Sequence, residues 1–461
     1  MRILHFIGTM RLPLDPEAEA TGGVARVALE TARAQAAMGH DVWVAAVTAG
    51  SGRGEWGGVR LAHLKAAPWA RVKLGGRVRD FREHLPLAAL AATRGFDVAH
   101  LHEYWRLRFV RARTRVVHVH NNPFGEPGTA RFVRKARTFW RQVRSSDAQV
   151  AVSRFVAERL QRGYDAVRDA GGVHPTGNVQ TVYNGVDQAR FAPERWANRR
   201  ALLRQQWGAA DSDVVFLFAG ALTPQKGVIH AARAFAELCS RAANVRLVVA
   251  GGRGLWRTPN AATEAEYCAY DAEVRAILRP ASVQGKAHVL GIAPPADVPG
   301  IYAASDVVVV PTVVEEAFGL VAAEALAAGK PVIASRVGGL PELITDVNGL
   351  LVPPGDEGAI RSAMTSLAAH PHLRDRLAAR ARESALRFTW SGAAEALDRI
   401  YGAAAHSRAR RGDERDRSVW GGAPGTGTGG AGARPSREAV HVGAGHSAGT
   451  SDGTTHLPAD A

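Results

Sequence analysis

Two glutamates, Glu316 and Glu324, lie at or near the ends of the run EEAFGLVAAE, which begins at residue 315. The run stands between an apolar, strand-like segment that ends at Pro311 and an alanine-rich segment that favours a helix. Glu316 therefore falls in a loop at a strand end, where its carboxylate can point into a cleft. Glu324 lies about a turn or so into the helix, and an acceptor-only carboxylate there suits the hydroxyl groups of a ribose.

The residues between these glutamates predict a site for phosphate. Phe318, Gly319 and Leu320 open the helix, and the unpaired amides at a helix start bind anions well. Gly319 also lets a ligand approach the backbone. A single acidic residue at a helix start is common, because the helix dipole alone favours a negative charge there. The two glutamates together with the helix start between them indicate a phosphorylated ligand rich in hydroxyl groups.

Two further places could bind a diphosphate. Lys226 precedes Gly227 at the exit of a predicted strand, where an ammonium group can neutralise phosphate charge. Gly22 and Gly23 precede the first long helix, where bare backbone can approach a donor phosphate or an acceptor. A glycine pair is equally compatible with a plain turn. The chain has no G-x-G-x-x-G fingerprint, which disfavours a nicotinamide nucleotide.

Strand-like and helix-like segments alternate along the chain. The opening reads as a strand at Ile3–Ile7, a helix at Val24–Met38 and a strand at Val42–Val47, and the pattern starts again at Val214–Ala219. This predicts an α/β protein with two doubly wound, Rossmann-like parallel sheets that face a cleft. The predicted parts are an N-terminal domain (1–197), a C-terminal domain (198–385), a helix that crosses back (386–404) and a disordered tail (405–461).

The motifs, taken in order, resemble the retaining glycosyltransferases of family 4 (glycosyl transferases group 1), which share the GT-B fold. EEAFGLVAAE resembles the Glu-x7-Glu motif of that family, and GALTPQKG from Gly220 resembles its phosphate-binding loop. TVYNGVDQARFAP from Thr181 resembles the segment between the domains, and HVLGIAPPADVPGIYAASDVVVVPT from His288 resembles the segment at the nucleotide base. The resemblance covers roughly residues 1 to 403.

The resemblance assigns roles to particular residues. His120, in RVVHVHNN, matches the histidine that reaches the transferred sugar, and its neighbour His118 is expected to point the other way. The nucleotide base is expected near Gly291 and Ile292. Ser153 matches a serine of the family, and it could equally cap the helix that follows it.

One position departs from the family. The family usually has arginine directly after the strand glycine, and here Ala221 takes that place. Lys226 is therefore expected to carry more of the phosphate charge. Arg253, in GGRG after the next strand, is a candidate replacement, and an ordinary solvent-exposed arginine is an equally good interpretation.

The resemblance implies transfer of a sugar from a nucleoside diphosphate sugar, commonly uridine-linked, to an acceptor hydroxyl, with retention and without a metal or cofactor. The acceptor stays open between a secondary metabolite such as an antibiotic and a cell-surface glycan or lipid. Two alternatives remain: a non-catalytic, coat-type binding protein of the same fold, and a sugar-nucleotide epimerase. A panel of sugar nucleotides would separate the three, because only the transferase binds and slowly hydrolyses its donor and only the epimerase releases an epimer.

Charge and composition suggest where the chain works. The 461 residues carry a formal net charge of +15, and residues 60 to 145 hold 19 Lys and Arg against 5 Asp and Glu. This favours an anionic partner such as a membrane surface or an acidic acceptor, although solvated arginines explain it equally well. No nucleic-acid-binding motif is present, so nucleic acid is not expected. Two cysteines and no long apolar run indicate a reducing, cytoplasmic setting, with peripheral membrane contact as an option.

Overall fold

The computed structural model describes residues 1–74, 77–103, 110–125, 127–171, 179–253, 261–280 and 283–420. By their internal contacts, Met1–Arg411 form one compact unit and Gly412–Ala461 form a second. Every side-chain contact of the candidate site lies within the first unit.

The first sheet has eight strands, all parallel except for one antiparallel edge strand, β3. The strands described between residues 1 and 181 are β1 (Arg2–Phe6), β2 (Asp41–Thr48), β3 (Gly52–Trp56), β4 (Val59–Lys65), β5 (Arg71–Leu74), β6 (Arg77–Asp80), β7 (Phe96–His102), β8 (Ala112–Val119), β9 (Ala148–Ala151) and β10 (Val179–Thr181). Their order is β10-β9-β8-β7-β1-β2-β4-β3, and β5 and β6 form a separate antiparallel hairpin.

The second sheet has six strands, all parallel. They are β11 (Val214–Ala219), β12 (Val245–Ala250), β13 (Ala287–Gly291), β14 (Val307–Val310), β15 (Val332–Ser335) and β16 (Gly349–Val352), in the order β13-β12-β11-β14-β15-β16. The run Val307–Val310 is fully buried, as expected for a strand of a parallel sheet that is covered on both faces.

Helices connect the strands of both sheets. They are α1 (Gly23–Ala37), α2 (His84–Arg94), α3 (Ala130–Val143), α4 (Arg154–Asp169), α5 (Ala197–Gln206), α6 (Val228–Cys239), α7 (Ala261–Ile277), α8 (Val298–Ala304), α9 (Leu320–Ala327), α10 (Leu340–Leu343), α11 (Glu357–Ala369), α12 (Pro371–Ala385) and α13 (Trp390–Trp420). Short 3-10 helices lie at Pro193–Trp196 and Pro224–Lys226. Among the described residues, no helix is both long enough and apolar enough to cross a bilayer.

The last helix returns to the first sheet. Leu397 and Tyr401 of α13 pack with Ile3 of β1 and Leu29 of α1 in one buried cluster. Further along this helix, Arg408 donates a hydrogen bond to the carbonyl oxygen of Arg113 at 2.6 Å. The first part of this helix thus packs on the sheet with which the chain begins.

The predicted fold class is confirmed: the chain is α/β with two doubly wound sheets, and the strands at Val214–Ala219 and Val307–Val310 were predicted to the residue. The predicted domain boundary falls between the two sheets, and the division into domains stays a prediction. The start of the tail was wrong, because α13 continues through residues 405–420. The rest of the predicted tail lies outside the described residues.

Candidate active site

A cavity of about 1230 Å³ lies at the carboxyl ends of both sheets. Its walls include the residues that follow β8 and β9 in the first sheet and β11, β12 and β14 in the second. Ligands bind at this edge in open parallel sheets. Ten of the predicted site residues line the cavity: Gly22, Gly23, His120, Lys226, Ile292, Glu316, Phe318, Gly319, Leu320 and Glu324.

Lys226 and Glu316 meet inside this cavity. The Lys226 Nζ atom donates a hydrogen bond to Glu316 Oε2 at 2.6 Å, and both side chains are partly exposed to the cavity. Gly227 after the lysine has a φ of +65°, and a Cβ there would lie 2.1 Å from the carbonyl oxygen of Pro311. Only glycine fits this approach. The sequence therefore brings the lysine loop against the end of β14, where the glutamate loop begins.

The backbone of Glu316 is fixed from its other side. The amide of Gly339 donates to the carbonyl oxygen of Glu316 at 2.7 Å. Gly338 has a φ of +60°, and a Cβ there would lie 2.1 Å from the same oxygen. The segment after β15 thus packs directly on the backbone of the glutamate loop.

Glu324 is held by two protein groups. Its side chain is buried in α9, the Arg26 Nη1 atom lies 2.9 Å from Oε1, and the Tyr302 hydroxyl donates to Oε2 at 2.8 Å. Burial raises the pKa of Tyr302 well above its ordinary value, so the phenol stays a proton donor. Arg26 comes from α1 and Glu324 from α9, so this ion pair links the two halves of the chain. Sequence reasoning missed both partners.

The start of α9 faces the start of α1. Gly319, with a φ of +98°, precedes the first residue of α9, Leu320. A Cβ placed on Gly23 would lie 3.7 Å from Leu320 Cδ1. Phe318 is only 2% exposed and packs on Phe388, so its ring anchors the loop and leaves its backbone for a ligand. Two helix starts, whose first-turn amides have no partner within their own helices, therefore approach one cavity, which favours an anion.

His120 lines the cavity at the end of β8. Its side chain is 4% exposed, and burial lowers its pKa to about 3, so the ring is neutral at pH 7. Its backbone amide donates to Glu103 Oε1 at 2.6 Å. Glu103 adopts a left-handed φ of 52°, and burial raises its pKa to about 7. His120 Nε2 lies 2.8 Å from His102 Nδ1, so the neutral ring has only Nδ1 left for a ligand in the cavity, and it carries no positive charge.

The prediction for His118 was wrong. His118 and His120 lie on the same face of β8, with ring centroids 4.3 Å apart. Residues two apart in a strand always share a face, which is the rule that the prediction neglected. His100 and His102 on β7 show the same spacing. The pattern H-x-H on two neighbouring strands was the signal for a histidine cluster, and it was not used.

These histidines also bear on the expectation of no metal site. Two groups have ligand nitrogens that all lie within 4.8 Å of one another: His5 with His100 and His102, and His102 with His118 and His120. All five rings are buried. Neutral imidazole nitrogens are common ligands of zinc and other transition metals. The sequence interpretation did not foresee this grouping.

The glutamate loop is tied to the first half of the chain by Asn122 and Arg159, which the sequence did not single out, and by Ser153, which it did. Asn122 Nδ2 donates to Glu315 Oε2 at 2.7 Å, and Arg159 donates to the other oxygen of the same carboxylate. The Ser153 hydroxyl donates to the carbonyl oxygen of Ala317 at 2.5 Å and accepts from the amide of Val156 at 3.2 Å. Ser153 therefore caps α4 and also holds the loop. These links are non-local, so sequence spacing gives no sign of them.

Two predicted donor-site residues are not brought to the cavity. Arg253 Nη1 donates to Glu264 at 2.8 Å and to the sulfur of Cys268 at 2.5 Å, so its guanidinium is directed to α7. It does not replace the arginine that is missing at Ala221. Gly291 pairs through its carbonyl oxygen with the amide of Gly251 at 2.7 Å, and only its neighbour Ile292 lines the cavity.

Comparisons with known proteins agree with this architecture. Residues 199–384 match the family described as "Glycosyl transferases group 1", and residues 21–190 match "Glycosyltransferase Family 4". A D-inositol 3-phosphate glycosyltransferase of Xylanimonas cellulosilytica is 32% identical over 426 residues, which covers 87% of this chain and 96% of that protein. The same-named protein of Saccharomonospora viridis is 38% identical over 267 residues, which covers 56% of each chain.

Solved structures show the same fold. The sucrose-phosphate synthase of Thermosynechococcus elongatus matches with a TM-score of 0.68 at 22% identity, over 87% of this chain and 99% of that one. Anabaena HepE in complex with UDP-glucose matches with a TM-score of 0.65 at 19% identity, over 87% of this chain and 100% of that one. The chain has the GT-B fold, belongs to glycosyltransferase family 4 and is a glycosyltransferase.

Proposed function

We propose that the chain transfers a sugar from a nucleoside diphosphate sugar to an acceptor hydroxyl with retention of configuration. The observation that carries this proposal is the pair Lys226 and Glu316, 2.6 Å apart in a cavity that also contains Glu324 and His120. A cation beside a helix start suits a diphosphate, and two carboxylates at the same edge suit the hydroxyl groups of a sugar and a ribose.

In the proposed complex the diphosphate lies between Lys226 and the amides of Phe318 to Leu320. The bond between the anomeric carbon and the phosphate oxygen breaks while the acceptor oxygen attacks from the same side. The acceptor proton passes to the departing phosphate oxygen, so no separate base is needed. Lys226 and the helix start neutralise the charge that grows on the leaving group. We propose that this charge compensation makes a metal ion unnecessary.

Glu316 and Glu324 have different proposed tasks. Glu316 holds hydroxyl groups of the transferred sugar, and its charge favours the positive charge that develops on the ring in the transition state. Glu324 accepts hydrogen bonds from the ribose. Because Arg26 and Tyr302 already occupy one position on each Glu324 oxygen, the ribose hydroxyls would use the remaining acceptor positions of this carboxylate.

We propose a uridine diphosphate sugar as donor and a phosphorylated polyol as the first acceptor to test. HepE, which shares the fold, has been crystallised with UDP-glucose, and the Xylanimonas relative is named for D-inositol 3-phosphate. Ile292, 45% exposed at the cavity wall, offers an apolar surface to the base. Secondary metabolites and cell-surface glycans or lipids follow as further acceptors. In this scheme residues 1–197 bind the acceptor and residues 198–385 the donor.

A second part of the proposal concerns the location of the protein in the cell. Helix α3 exposes Arg131, Arg134 and Arg141 and buries Phe132 and Phe139 on its other side. We propose that this basic face contacts an anionic membrane surface from the cytoplasm. Co-sedimentation with anionic but not zwitterionic vesicles, weakened in an Arg134→Glu, Arg141→Glu double variant, would support it. Equal binding of the double variant would contradict it.

The donor proposal is tested with a panel of uridine, adenosine and guanosine diphosphate sugars. Calorimetry should show binding of one uridine nucleotide, and slow hydrolysis of that sugar nucleotide should follow in the absence of an acceptor. Glu316→Gln should abolish hydrolysis and keep binding, whereas Glu237→Gln, an exposed glutamate on α6 outside the cavity, should leave both unchanged. Release of an epimer would indicate an epimerase instead, and no binding at all would indicate a non-catalytic protein of the same fold.

A further inference from the structure

A row of buried histidines lies behind His120, on the face of the first sheet that α1 and α13 cover. The strands provide this row because their side chains alternate: His5 comes from β1, His100 and His102 from β7, and His118 and His120 from β8 and its end. The strand register places His5 opposite His100 and His102 opposite His118. The five imidazole rings therefore lie in one buried layer.

One series of hydrogen bonds runs from α1 to the cavity. The Gln35 Oε1 atom lies 2.7 Å from His5 Nε2, and His5 Nδ1 lies 2.9 Å from His102 Nε2. His102 Nδ1 lies 2.8 Å from His120 Nε2. Each ring in the middle of this series uses both of its nitrogens, and the series ends at the residue that lines the cavity.

A second series runs from the same glutamine to α13. The Gln35 Nε2 atom donates to the Tyr401 hydroxyl at 3.2 Å, and this hydroxyl lies 2.5 Å from His100 Nδ1. His100 Nε2 lies 2.9 Å from His118 Nδ1. The series stops there, because His118 Nε2 is buried and has no hydrogen-bond partner among the described residues. Gln35 is the junction of the two series.

The rings in both series are neutral. Burial lowers the pKa of His5 to about 4, and it lowers the pKa of His100, His102 and His118 well below the ordinary value. A neutral imidazole has one N–H and one bare nitrogen. Each contact between two rings needs one donor and one acceptor, so the tautomer of one ring dictates the tautomer of the next.

We infer that Gln35 sets the tautomer of His120 through His5 and His102. The amide oxygen of Gln35 only accepts, so His5 carries its proton on Nε2 and presents a bare Nδ1 to His102. His102 then carries its proton on Nε2, and so does His120. His120 Nδ1 is left as the acceptor for a group in the cavity. Gln35 and Tyr401, whose hydroxyl accepts a hydrogen bond from the Gln35 amide, are positioning residues. The inference relies on the proposed function only for the ligand, a sugar hydroxyl.

The ring geometry favours hydrogen bonds over a bound metal ion. His100 and His102 are stacked with an interplanar angle of 20°, and His102 and His120 with an angle of 26°. Two nitrogens that bind one tetrahedral metal ion at about 2.0–2.1 Å lie ~3.3 Å apart, which is farther than the contacts between these rings. The nitrogens are instead joined in pairs at hydrogen-bond distances.

The direct test is the tautomer of His120 in the full chain without substrate. Long-range 1H–15N correlation spectra of protein labelled in the histidine rings report which nitrogen is protonated, and a His120→Asn variant assigns the signal. We expect a neutral His120 with a protonated Nε2 at pH 7. A protonated Nδ1, an equal mixture of tautomers, or a stoichiometric metal ion found by elemental analysis would overturn the inference. Wild-type protein suffices, so a poorly folding variant cannot obscure the result.

Two variants of the junction test its control over His120. Gln35→Met removes the acceptor at similar size, so we expect the His120 signal to report both tautomers and kcat to fall about tenfold. Gln35→Glu keeps an acceptor-only group facing His5 and should retain the tautomer, with kcat within about twofold of the wild type. An unchanged tautomer in Gln35→Met would refute control by Gln35. Loss of all transferase activity with the expected tautomer intact would refute the proposed function and not this inference.

Discussion

Replacing Lys226 by alanine removes the cation that the structure places nearest to Glu316, 2.6 Å from Oε2. The loss concerns the transition state most, because the leaving diphosphate gains charge as the sugar bond breaks. Ala221 supplies no cation at the position where the family usually has arginine, and the guanidinium of Arg253 is directed to Glu264 on α7. In the proposed complex the remaining stabilisation at the phosphates would therefore come mainly from the start of α9.

Removal of one preorganised donor to a developing anion lowers kcat by about 10² to 10³, or ~3–4 kcal/mol of barrier. We expect Lys226→Ala to lose activity in this range, with a smaller rise in KM for the donor. The folded state should change little, since exposed ion pairs contribute at most about 1 kcal/mol and this pair is partly exposed. Lys226→Arg should recover part of kcat, because it restores the charge in a different shape.

The assay is initial-rate release of the nucleoside diphosphate over a range of donor concentrations, with melting temperatures measured on the same samples. Lys286→Ala is the matched control, since this lysine donates to the carbonyl oxygen of Ala242 and does not line the cavity. A kcat for Lys226→Ala within about threefold of the control would refute the phosphate role. A large fall in melting temperature would instead show that the lysine is structural.

Three more expectations follow from the charged groups of the site. The pKa of Glu103 is raised to about 7, so the folded chain binds this proton more tightly than the unfolded chain. The free energy of unfolding therefore falls as pH rises from about 4.5 to 7. Glu103→Gln should remove up to ~3 kcal/mol of that fall, measured by urea unfolding at pH 5 and 8. The pKa of His5 is lowered to about 4, so the neutral ring contributes fully to the free energy of unfolding above pH 6.5, and this contribution is lost as pH falls toward 4. His5→Gln should therefore make the free energy of unfolding less dependent on pH at the acid end. Arg26→Met should destabilise the folded chain by about 1.5–3 kcal/mol because it leaves the buried Glu324 without its cation. Adding Glu324→Gln to this variant should reduce the loss, whereas additive effects of the two substitutions on the free energy of unfolding would contradict the pairing.

The sequence predicted those parts of the structure that local patterns specify. Short apolar runs predicted strands such as Val214–Ala219 and Val307–Val310, and the run from Glu315 to Glu324 predicted a loop and a helix start that do line the cavity. The roles of Glu316 and Lys226 followed from residue type and from strand ends, and the structure brings the two together. Their catalytic assignment stays a prediction.

The missed features depend on contacts between distant segments. Arg26 and Glu324 are 298 positions apart in the numbering and meet only because α1 and α9 start at the same cavity. Arg253 follows a strand just as a phosphate ligand would, and only the position of α7 shows that it is engaged elsewhere. The error over His118 was different in kind, because the two-residue period of a strand was sufficient to place it beside His120.

The most direct test of the central claim is the anomeric configuration of the product, measured by 1H NMR during transfer from a uridine diphosphate sugar to D-inositol 3-phosphate or another accepted hydroxyl. We predict a product with the same configuration as the donor, formed by the wild-type chain and not by Glu316→Gln. A product of inverted configuration, or undiminished transfer by Glu316→Gln, would contradict the proposed site.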